Sequence, residues 1–205
     1  MHLARPILAL FVILAATSHA WSADEQTLRD IPYAQVGDRQ LLLDLYRSAD
    51  RNPDVRQPLI IWVHGGAWRS GSKDQVPVTY WLKQDFAIAS VDYRLSPEAR
   101  FPAQIHDIKA AIRFLRAHAD EYGLDERAFV IAGASAGGHL AALVGVSNGV
   151  VELEGDVGRN SQTSSDVQAI VSFYGASNLQ SILSQSTAHG LSVRVPALQL
   201  LLGGQ

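Results

Sequence analysis

The chain has 205 residues and a formal net charge of −3, from 17 basic and 20 acidic side chains. This near balance gives no electrostatic reason to expect nucleic acid or an anionic membrane surface as a partner. The hydrophobic fraction of 47% and the charged fraction of 18% are those of one globular domain with a sizeable core, and they exclude a disordered chain.

The first twenty residues predict a cleaved signal peptide. A short basic start precedes an uncharged apolar run over residues 6–16. Small residues at positions 18 and 20 suit signal peptidase, so we expect cleavage after Ala20. The apolar run is shorter than the roughly 20 residues of a membrane span, so no stable membrane anchor is expected. The chain has no cysteine for disulfides or lipid attachment, so we expect residues 21–205 in a bacterial periplasm or the medium.

The rest of the chain alternates between predicted strands and helices. Residues 21–30 are polar and predict a loose segment. Apolar runs predict strands at residues 41–46, 58–63, 86–91, 128–132 and 167–173. Apolar side chains at three- and four-residue steps predict a helix over residues 103–122, which Gly123 ends. A second helix is predicted over residues 138–144, and residues 147–166 predict a surface excursion.

Most of these strands are near-continuous apolar runs, as expected for strands that are buried on both faces. Buried strands that alternate with helices predict an α/β fold with a mostly parallel sheet and helices on both faces. In such a sheet, chemistry gathers beyond the carboxyl ends of the strands. Three motifs stand at such strand ends in this sequence.

The sequence GASAG at residues 133–137 lies between a predicted strand and a predicted helix, which is the context of a nucleophile elbow. The tight turn leaves no room for bulky side chains, which accounts for Gly133 and Gly137. We expect Ser135 to project its hydroxyl above the sheet as a nucleophile. The Ala136 N–H, at a helix N-terminus, is expected to stabilise negative charge.

The sequence HGGAW at residues 64–68 directly follows the predicted strand 58–63. We expect the N–H groups of Gly66 and Ala67 to converge with the N–H of Ala136 and form an oxyanion hole. Glycine suits this loop because a side chain would keep a substrate carbonyl away from the backbone.

The third motif, DYRLSPE at residues 92–98, follows the predicted strand 86–91. We interpret Asp92 and Arg94 as scaffold residues that hold the loops together, since paired charges are often structural.

These three motifs, in this order, resemble the esterase/lipase group of the α/β-hydrolase superfamily, and most closely its hormone-sensitive-lipase-like and feruloyl/acetyl-xylan-esterase-like branches. The resemblance covers residues 31–205. It implies a carboxylic-ester hydrolase that works through an acyl-enzyme. The predicted signal peptide favours an external substrate, such as a short-chain ester or a carbohydrate-linked acyl ester. It also implies that His64 and Gly65 belong to the oxyanion loop, which His64 braces. Trp68 and Tyr174 are candidates for lining the pocket, with ordinary core packing as the alternative.

In that superfamily the acid and the histidine of the triad follow the serine. No residue after Ser135 matches their positions, so we expect a sheet that lacks its last strands and helices. His139 lies on the helix after the serine and is expected to be a structural hydrogen-bonding residue. His189, in a predicted loop, comes too early in the chain to act as the base.

The remaining titratable groups are expected to be structural or solvated. His106 and His118 lie on the predicted long helix, and Asp156, Asp166 and the acidic cluster at residues 152–156 are expected to face solvent. No spacing of histidines and carboxylates suggests a metal site, and no cofactor is expected.

The sequence therefore predicts the N-terminal part of a secreted carboxylesterase. Two alternatives stay open: a catalytically impaired relic that binds a ligand, and an amide hydrolase that resembles kynurenine formamidase, whose relatives use a similar HGG-aromatic loop. A serine without a base retains only the contribution of its oxyanion hole, about 10³–10⁴-fold over water in other triads.

Overall fold

A six-stranded, mostly parallel sheet forms the centre of residues 25–204, which are the residues that this computed structural model describes. The strands are β1 Glu25–Val36, β2 Arg39–Ser48, β3 Gln57–Val63, β4 Ala87–Val91, β5 Leu124–Ala134 and β6 Ala169–Phe173. Their spatial order is β1-β2-β4-β3-β5-β6, and β4, β3, β5 and β6 run parallel. This topology confirms the predicted α/β class. The predicted signal peptide, residues 1–20, lies outside the described residues.

The strand β1 corrects the sequence prediction at the start of the chain. Residues 21–30 were expected to be loose, but from Glu25 onward the chain pairs antiparallel with β2. Two irregularities in the register, on either side of the pair Ile31–Pro32, disturb the alternation of inward and outward side chains. An irregular edge strand that contains proline has no regular apolar pattern, which is why the sequence did not reveal it.

The central strands β3 and β4 are almost completely buried, as predicted. Successive side chains of a strand point to opposite faces. Ile61 and Val63 therefore join the larger core, on the side of the long helices, while Ile60 and Trp62 join a smaller cluster on the other face.

Five α-helices accompany the sheet in the described residues: α1 Ala103–Ala117, α2 Ala119–Tyr122, α3 Ala136–Val146, α4 Val151–Glu154 and α5 Ala188–Leu202. The single helix predicted over residues 103–122 is wrong, because His118, with φ −109° and ψ 19°, separates α1 from α2. Its Nδ1 lies 2.8 Å from the carbonyl oxygen of Phe114. Ala119 and Tyr122 are buried in the same core as α1, so the apolar spacing continues across His118. The sequence pattern therefore gave no sign of the break.

The two faces of the sheet are covered unequally. Apolar residues of α1, α3 and α5 pack in the larger core, whereas the short 3₁₀ helix Thr79–Gln84 packs in the smaller cluster. The expectation that the strand at residues 167–173 is buried is wrong. All five residues of β6 are exposed, because among the described residues β6 pairs only with β5. Val171 and Phe173 line an apolar cleft of about 120 Å³.

The acidic segment that includes α4 also departs from its prediction. Glu152 and Asp156 are exposed, as expected, but Glu154 accepts hydrogen bonds from the fully buried Lys109 at 2.6 Å and from Ser165 at 2.7 Å. Burial disfavours the charge of Glu154, but these hydrogen bonds outweigh that effect and lower its pKa. Arg113 adds an ion pair at 3.3 Å. The segment is thus anchored to α1 by buried charges.

We expect Glu154→Gln to destabilise the fold by about 3 kcal/mol, because the buried Lys109 ammonium would lose its charged partner. Urea unfolding at pH 7 measures this loss. Glu152→Gln is the matched control, since Glu152 is exposed. The lowered pKa means that the wild-type advantage is present at neutral pH and lost as the pH falls below about 4.3 and through the folded-state pKa. Equal stability of the two variants at pH 7 would contradict the assignment.

Candidate active site

The turn between β5 and α3 consists of a single residue, Ser135. Its φ of 55° and ψ of −119° form a conformation that residues with a side chain rarely adopt. Ser135 is exposed, and its backbone N–H donates to the carbonyl oxygen of Phe173, at the end of β6, over 2.9 Å. The turn therefore holds the serine at the N-terminus of α3, beside the carboxyl ends of two parallel strands.

Gly133 and Gly137, on either side of the serine, are required because backbone atoms approach closely there. A Cβ atom at Gly137 would lie 2.1 Å from the carbonyl oxygen of Val63 and 2.5 Å from that of His64. A Cβ atom at Gly133 would lie 2.4 Å from the carbonyl oxygen of Gly137. The turn is therefore pressed against the end of β3, and only glycine fits at these two positions.

The loop that follows β3 lies directly beside the serine. A Cβ atom at Gly65 would lie 2.9 Å from the carbonyl oxygen of Ala134 and 3.5 Å from the Cβ of Ser135. The next three residues, Gly66, Ala67 and Trp68, all have positive φ angles, of 103°, 52° and 60°. This run of left-handed residues turns the backbone sharply, and the carbonyl oxygen of Gly66 accepts hydrogen bonds from two later N–H groups.

Three backbone N–H groups near this point have no acceptor. None of the hydrogen bonds formed among residues 25–204 uses the N–H of Gly66, Ala67 or Ala136. The first N–H groups of any α-helix lack partners within the helix, which accounts for Ala136. At Gly66 and Ala67, the positive φ angles turn the N–H groups away from the hydrogen-bonding direction of β3, so they do not pair with a neighbouring strand. Free donors on two elements that meet at a serine are suited to binding an oxygen atom that carries negative charge.

His64 holds the base of this loop. It is buried, its Nδ1 lies 2.8 Å from the carbonyl oxygen of Gly65, and its ring stacks on Tyr93 with the centroids 4.5 Å apart. The Tyr93 hydroxyl donates to the backbone oxygen of His64. Burial lowers the pKa of His64, against the opposing effects of the Gly65 carbonyl and of Asp92, whose Oδ1 is 4.0 Å away. A neutral, stacked imidazole braces the loop.

An ion cluster around the buried Lys73 and Asp44 fixes the far end of the same loop. Asp92 accepts a hydrogen bond from the backbone N–H of Lys73 at 2.7 Å. The Lys73 ammonium in turn pairs with Asp44 at 2.9 Å and Asp30 at 2.8 Å, and Arg29 pairs with Asp44 at 2.6 Å. Burial opposes the charge of Asp44, but hydrogen bonds from the Asp30 N–H, Lys73 and Arg29 outweigh it and lower its pKa. The loop is thereby tied to β2.

The contacts of Asp92 and Arg94 agree with their interpretation as residues that hold loops together. Arg94 donates to both carboxylate oxygens of Asp107 on α1, at 2.8 Å and 2.7 Å, and its backbone N–H donates to the same group. Neither Asp92 nor Arg94 lines the cavity that contains Ser135. The two residues therefore join loops to β2 and α1, at a distance from the serine.

A cavity of about 690 Å³ opens above Ser135. Trp68 and Tyr174, the two candidates for pocket residues, both line it. Trp68 is buried, and its indole N–H lies 3.3 Å from Nδ1 of His139, whose pKa is lowered by burial. Tyr174, in contrast, is 82% exposed. His139 therefore has the structural hydrogen bond that the sequence analysis assigns to it, and it also orients a pocket residue.

Residues 175–197 supply much of the cavity wall, although no sequence motif predicts this role. Lining positions on α5 are His189, Gly190, Val193, Arg194 and Ala197. These positions recur at steps of one and three residues, so they form one face of the helix. Toward the end of the helix, the same side packs on the core through Ala197, Leu198 and Leu201. The only sequence signal for this face is that Arg194 is the single Asp, Glu, Lys or Arg after Asp166.

The histidines do not form a triad with the serine in the described part of the chain. No hydrogen bond there joins the Ser135 side chain to a histidine or a carboxylate. His189 was expected in a loop, but it lies in the first turn of α5, where Thr187 caps the helix, and it lines the serine cavity. His106 and His118 have backbone oxygens as their hydrogen-bond neighbours, at 3.0 Å and 2.8 Å.

Two further kinds of site are missing from residues 25–204. These residues contain no group of three or more histidine, aspartate or glutamate side chains arranged to hold a metal ion. Within the same stretch, every helix is too short or too polar to cross a membrane.

The strand–serine–helix turn and the loop after β3 lie in a region that matches the sequence model of a known family. The sequence model of the BD-FAE family matches residues 43–205. The chain belongs to the BD-FAE family. The similar solved structures have the α/β-hydrolase fold, so the fold expected from the motifs is confirmed.

Similar proteins are named as esterases. Esterase LipC of Mycobacterium tuberculosis is 38% identical over 137 residues, which are 65% of this chain and 33% of LipC. The structure of a truncated carbohydrate esterase from gut microbiota is 30% identical, with a TM-score of 0.72 over 88% of this chain and 66% of that one. Esterase 2 of Thermogutta terrifontis, phosphorylated by paraoxon, is 32% identical, with a TM-score of 0.61 over 72% of this chain and 56% of that one. The chain spans about a third of the length of the curated relatives it matches.

We expect Gly137→Ala to destabilise the protein by about 1–3 kcal/mol or more, because the new methyl group would lie 2.1 Å from the Val63 carbonyl oxygen. Thermal unfolding measures the loss. Gly204→Ala is the control, since nothing lies within 4 Å of its added Cβ. A Gly137 variant as stable as the control would show that the turn is not packed against β3.

Proposed function

We propose that this protein is a serine carboxylic-ester hydrolase in which Ser135 is the nucleophile. The observation that carries the proposal is the strained, exposed position of Ser135 between the free N–H groups of the loop after β3 and the N-terminus of α3. Esterases among the similar proteins, and the membership of the BD-FAE family, support the same reaction.

In the proposed reaction, the Ser135 oxygen attacks the carbonyl carbon of the ester. The serine proton passes to a general base and then to the departing alcohol as the ester C–O bond breaks, which leaves an acyl group on the serine. Water repeats the attack, releases the acid and restores the hydroxyl. Both attacks place negative charge on the carbonyl oxygen. We assign the N–H groups of Gly66, Ala67 and Ala136 to that oxygen, where the loss of one donor typically costs about 2.7–4 kcal/mol of barrier.

The cavity supports an ester of modest size as the substrate. Its volume of about 690 Å³ is within the range of ordinary small-molecule sites. Hydroxyl and amide side chains, those of Ser177, Asn178, Ser181 and Gln185, line it together with the indole of Trp68. A mixture of hydrogen-bonding groups and the aromatic rings of Trp68 and Tyr174 suits a carbohydrate-linked or short-chain acyl ester, and a similar structure is that of a carbohydrate esterase.

Ser135→Ala is expected to lower kcat/KM for 4-nitrophenyl acetate by at least about 1,000-fold and to abolish covalent labelling by paraoxon, because both depend on the serine oxygen. The protein expressed from its natural gene is the sample, and mass spectrometry of the labelled peptide locates the adduct. Ser161→Ala is the control, as an exposed serine that does not line the cavity.

Three outcomes separate the candidates. Labelling at residue 135 with Ser135-dependent turnover supports the hydrolase. Turnover that survives in Ser135→Ala would overturn the assignment of the nucleophile. Binding of esters without labelling or turnover would favour the second candidate, a ligand-binding relic, for which the specific observation is the lack of a base bonded to Ser135 among residues 25–204.

We further propose that the protein is exported, and that it acts in a periplasm or outside the cell. The support is the pattern of residues 1–20, a basic start, an apolar run and small residues before the expected cleavage site, together with the lack of cysteine. When the gene is expressed in a bacterial host, we expect Edman sequencing of the protein from outside the cytoplasm to begin at Trp21. A mature protein that retains Met1 in the cytoplasm would contradict export.

A further inference from the structure

The last 39 residues of the sequence are almost free of charged side chains, and the single charged residue among them lies in the serine cavity. Residues 167–205 contain no Asp, Glu or Lys and a single Arg, although the whole chain has 37 such charged residues, 17 basic and 20 acidic. That one residue, Arg194, lines the cavity that contains Ser135. The helix α5, which lines the cavity, therefore contributes one permanent positive charge and no negative charge to it.

Arg194 is held in place on α5. Its Nη1 donates to the hydroxyl of Ser186 at 2.8 Å. A Cβ atom at Gly190 would lie 2.4 Å from the same Nη1, so the lack of a side chain at that position leaves room for the guanidinium. Both contacts place the guanidinium beside the first turn of α5. The positive end of the helix dipole lies at the same end.

The guanidinium keeps unused donors. Among residues 25–204, its hydrogen bonds occupy Nη1 alone, and no carboxylate pairs with it. A guanidinium has five N–H donors in a planar fork. None of the described residues that line the cavity is acidic, so nothing there cancels the charge. A cavity with one sign of charge attracts ligands of the other sign.

We propose that Arg194 makes the site selective for esters that carry a carboxylate on the acyl or the alcohol part. This inference rests on the function proposed for Ser135. The fork of a guanidinium matches the two oxygens of a carboxylate, which a neutral ester lacks. Neutral hydroxyl and amide groups around it, those of Ser177, Asn178, Ser181 and Gln185, hydrogen-bond the remainder of such a substrate without repelling it.

The test compares two pairs of esters, each made of a carboxylate and its neutral methyl ester. For the acyl part, the pair is 4-nitrophenyl hydrogen adipate and its methyl ester. For the alcohol part, the pair is 4-acetoxybenzoate and methyl 4-acetoxybenzoate. The measured quantity is the ratio of kcat/KM between the anionic and the neutral member of each pair, at low ionic strength. The pair with the larger ratio identifies the part of the substrate that Arg194 contacts.

Arg194→Gln is expected to lower that ratio by about three- to tenfold, the range for a partly exposed charge-assisted contact. Added salt should reduce the wild-type ratio, because exposed charges are screened. Arg127→Gln is the matched control: it removes the same charge from an exposed arginine outside the cavity and should leave the ratio unchanged. Arg194→Lys should keep part of the preference, since it retains the charge without the fork.

A second measurement separates this inference from the proposed function. Calorimetry of 4-acetoxybenzoate and its methyl ester with Ser135→Ala, alone and combined with Arg194→Gln, measures binding without turnover. Tighter binding of the anion that Arg194→Gln removes supports the inference, even if no ester is hydrolysed and the proposed function fails. An unchanged ratio and unchanged binding in the Arg194 variants would overturn it while leaving the hydrolase assignment intact.

Discussion

The close packing of backbone at the end of β3 is the constraint on which the site depends. The carbonyl oxygens of Val63 and His64 occupy the space where a side chain at residue 137 would lie. This contact fixes the distance between the loop after β3 and the turn that carries Ser135. Because only backbone atoms meet there, the geometry depends little on the rotamers of surrounding side chains. This single approach brings together a serine in a rare conformation and three N–H groups that have no acceptor among residues 25–204.

Buried charges hold the segments that the sheet itself does not hold. Lys73 and Asp44 tie the loop after β3 to β2, and Lys109 and Glu154 tie the segment after α3 to α1. Removing these groups from water is unfavourable, and several hydrogen bonds to each carboxylate offset that cost. The carboxylates of Asp44 and Glu154 are both held with lowered pKa values by such bonds. Buried ion pairs thus hold both the loop after β3 and the segment after α3 in place.

The sequence was informative wherever a local rule determined the structure. The buried strands at residues 58–63 and 86–91 follow from apolar runs, and the crowding at residues 133 and 137 follows from the glycines of the elbow motif. It failed where long-range contacts decide the outcome. Nothing local distinguishes the buried Glu154 from the exposed Glu152, because its partners on α1 are about 40 residues away in the chain. Likewise, the cavity-lining face of α5 is defined by distant segments such as the loop after β3. The strand β1 pairs with its neighbour β2 but was missed because its register irregularities interrupt the apolar alternation.

The backbone of Ser135 shares its one N–H hydrogen bond with Phe173, the last residue of β6. β6 is exposed along its whole length, and among residues 25–204 it has one neighbouring strand. Local opening of a strand breaks hydrogen bonds of this kind, and amide hydrogen exchange follows such openings. The exchange rate of the Ser135 amide hydrogen therefore reports how often β6 opens at Phe173. The hydrogen bond between Ser135 and Phe173 thus couples the backbone of the strained turn to the pairing of β6 with β5.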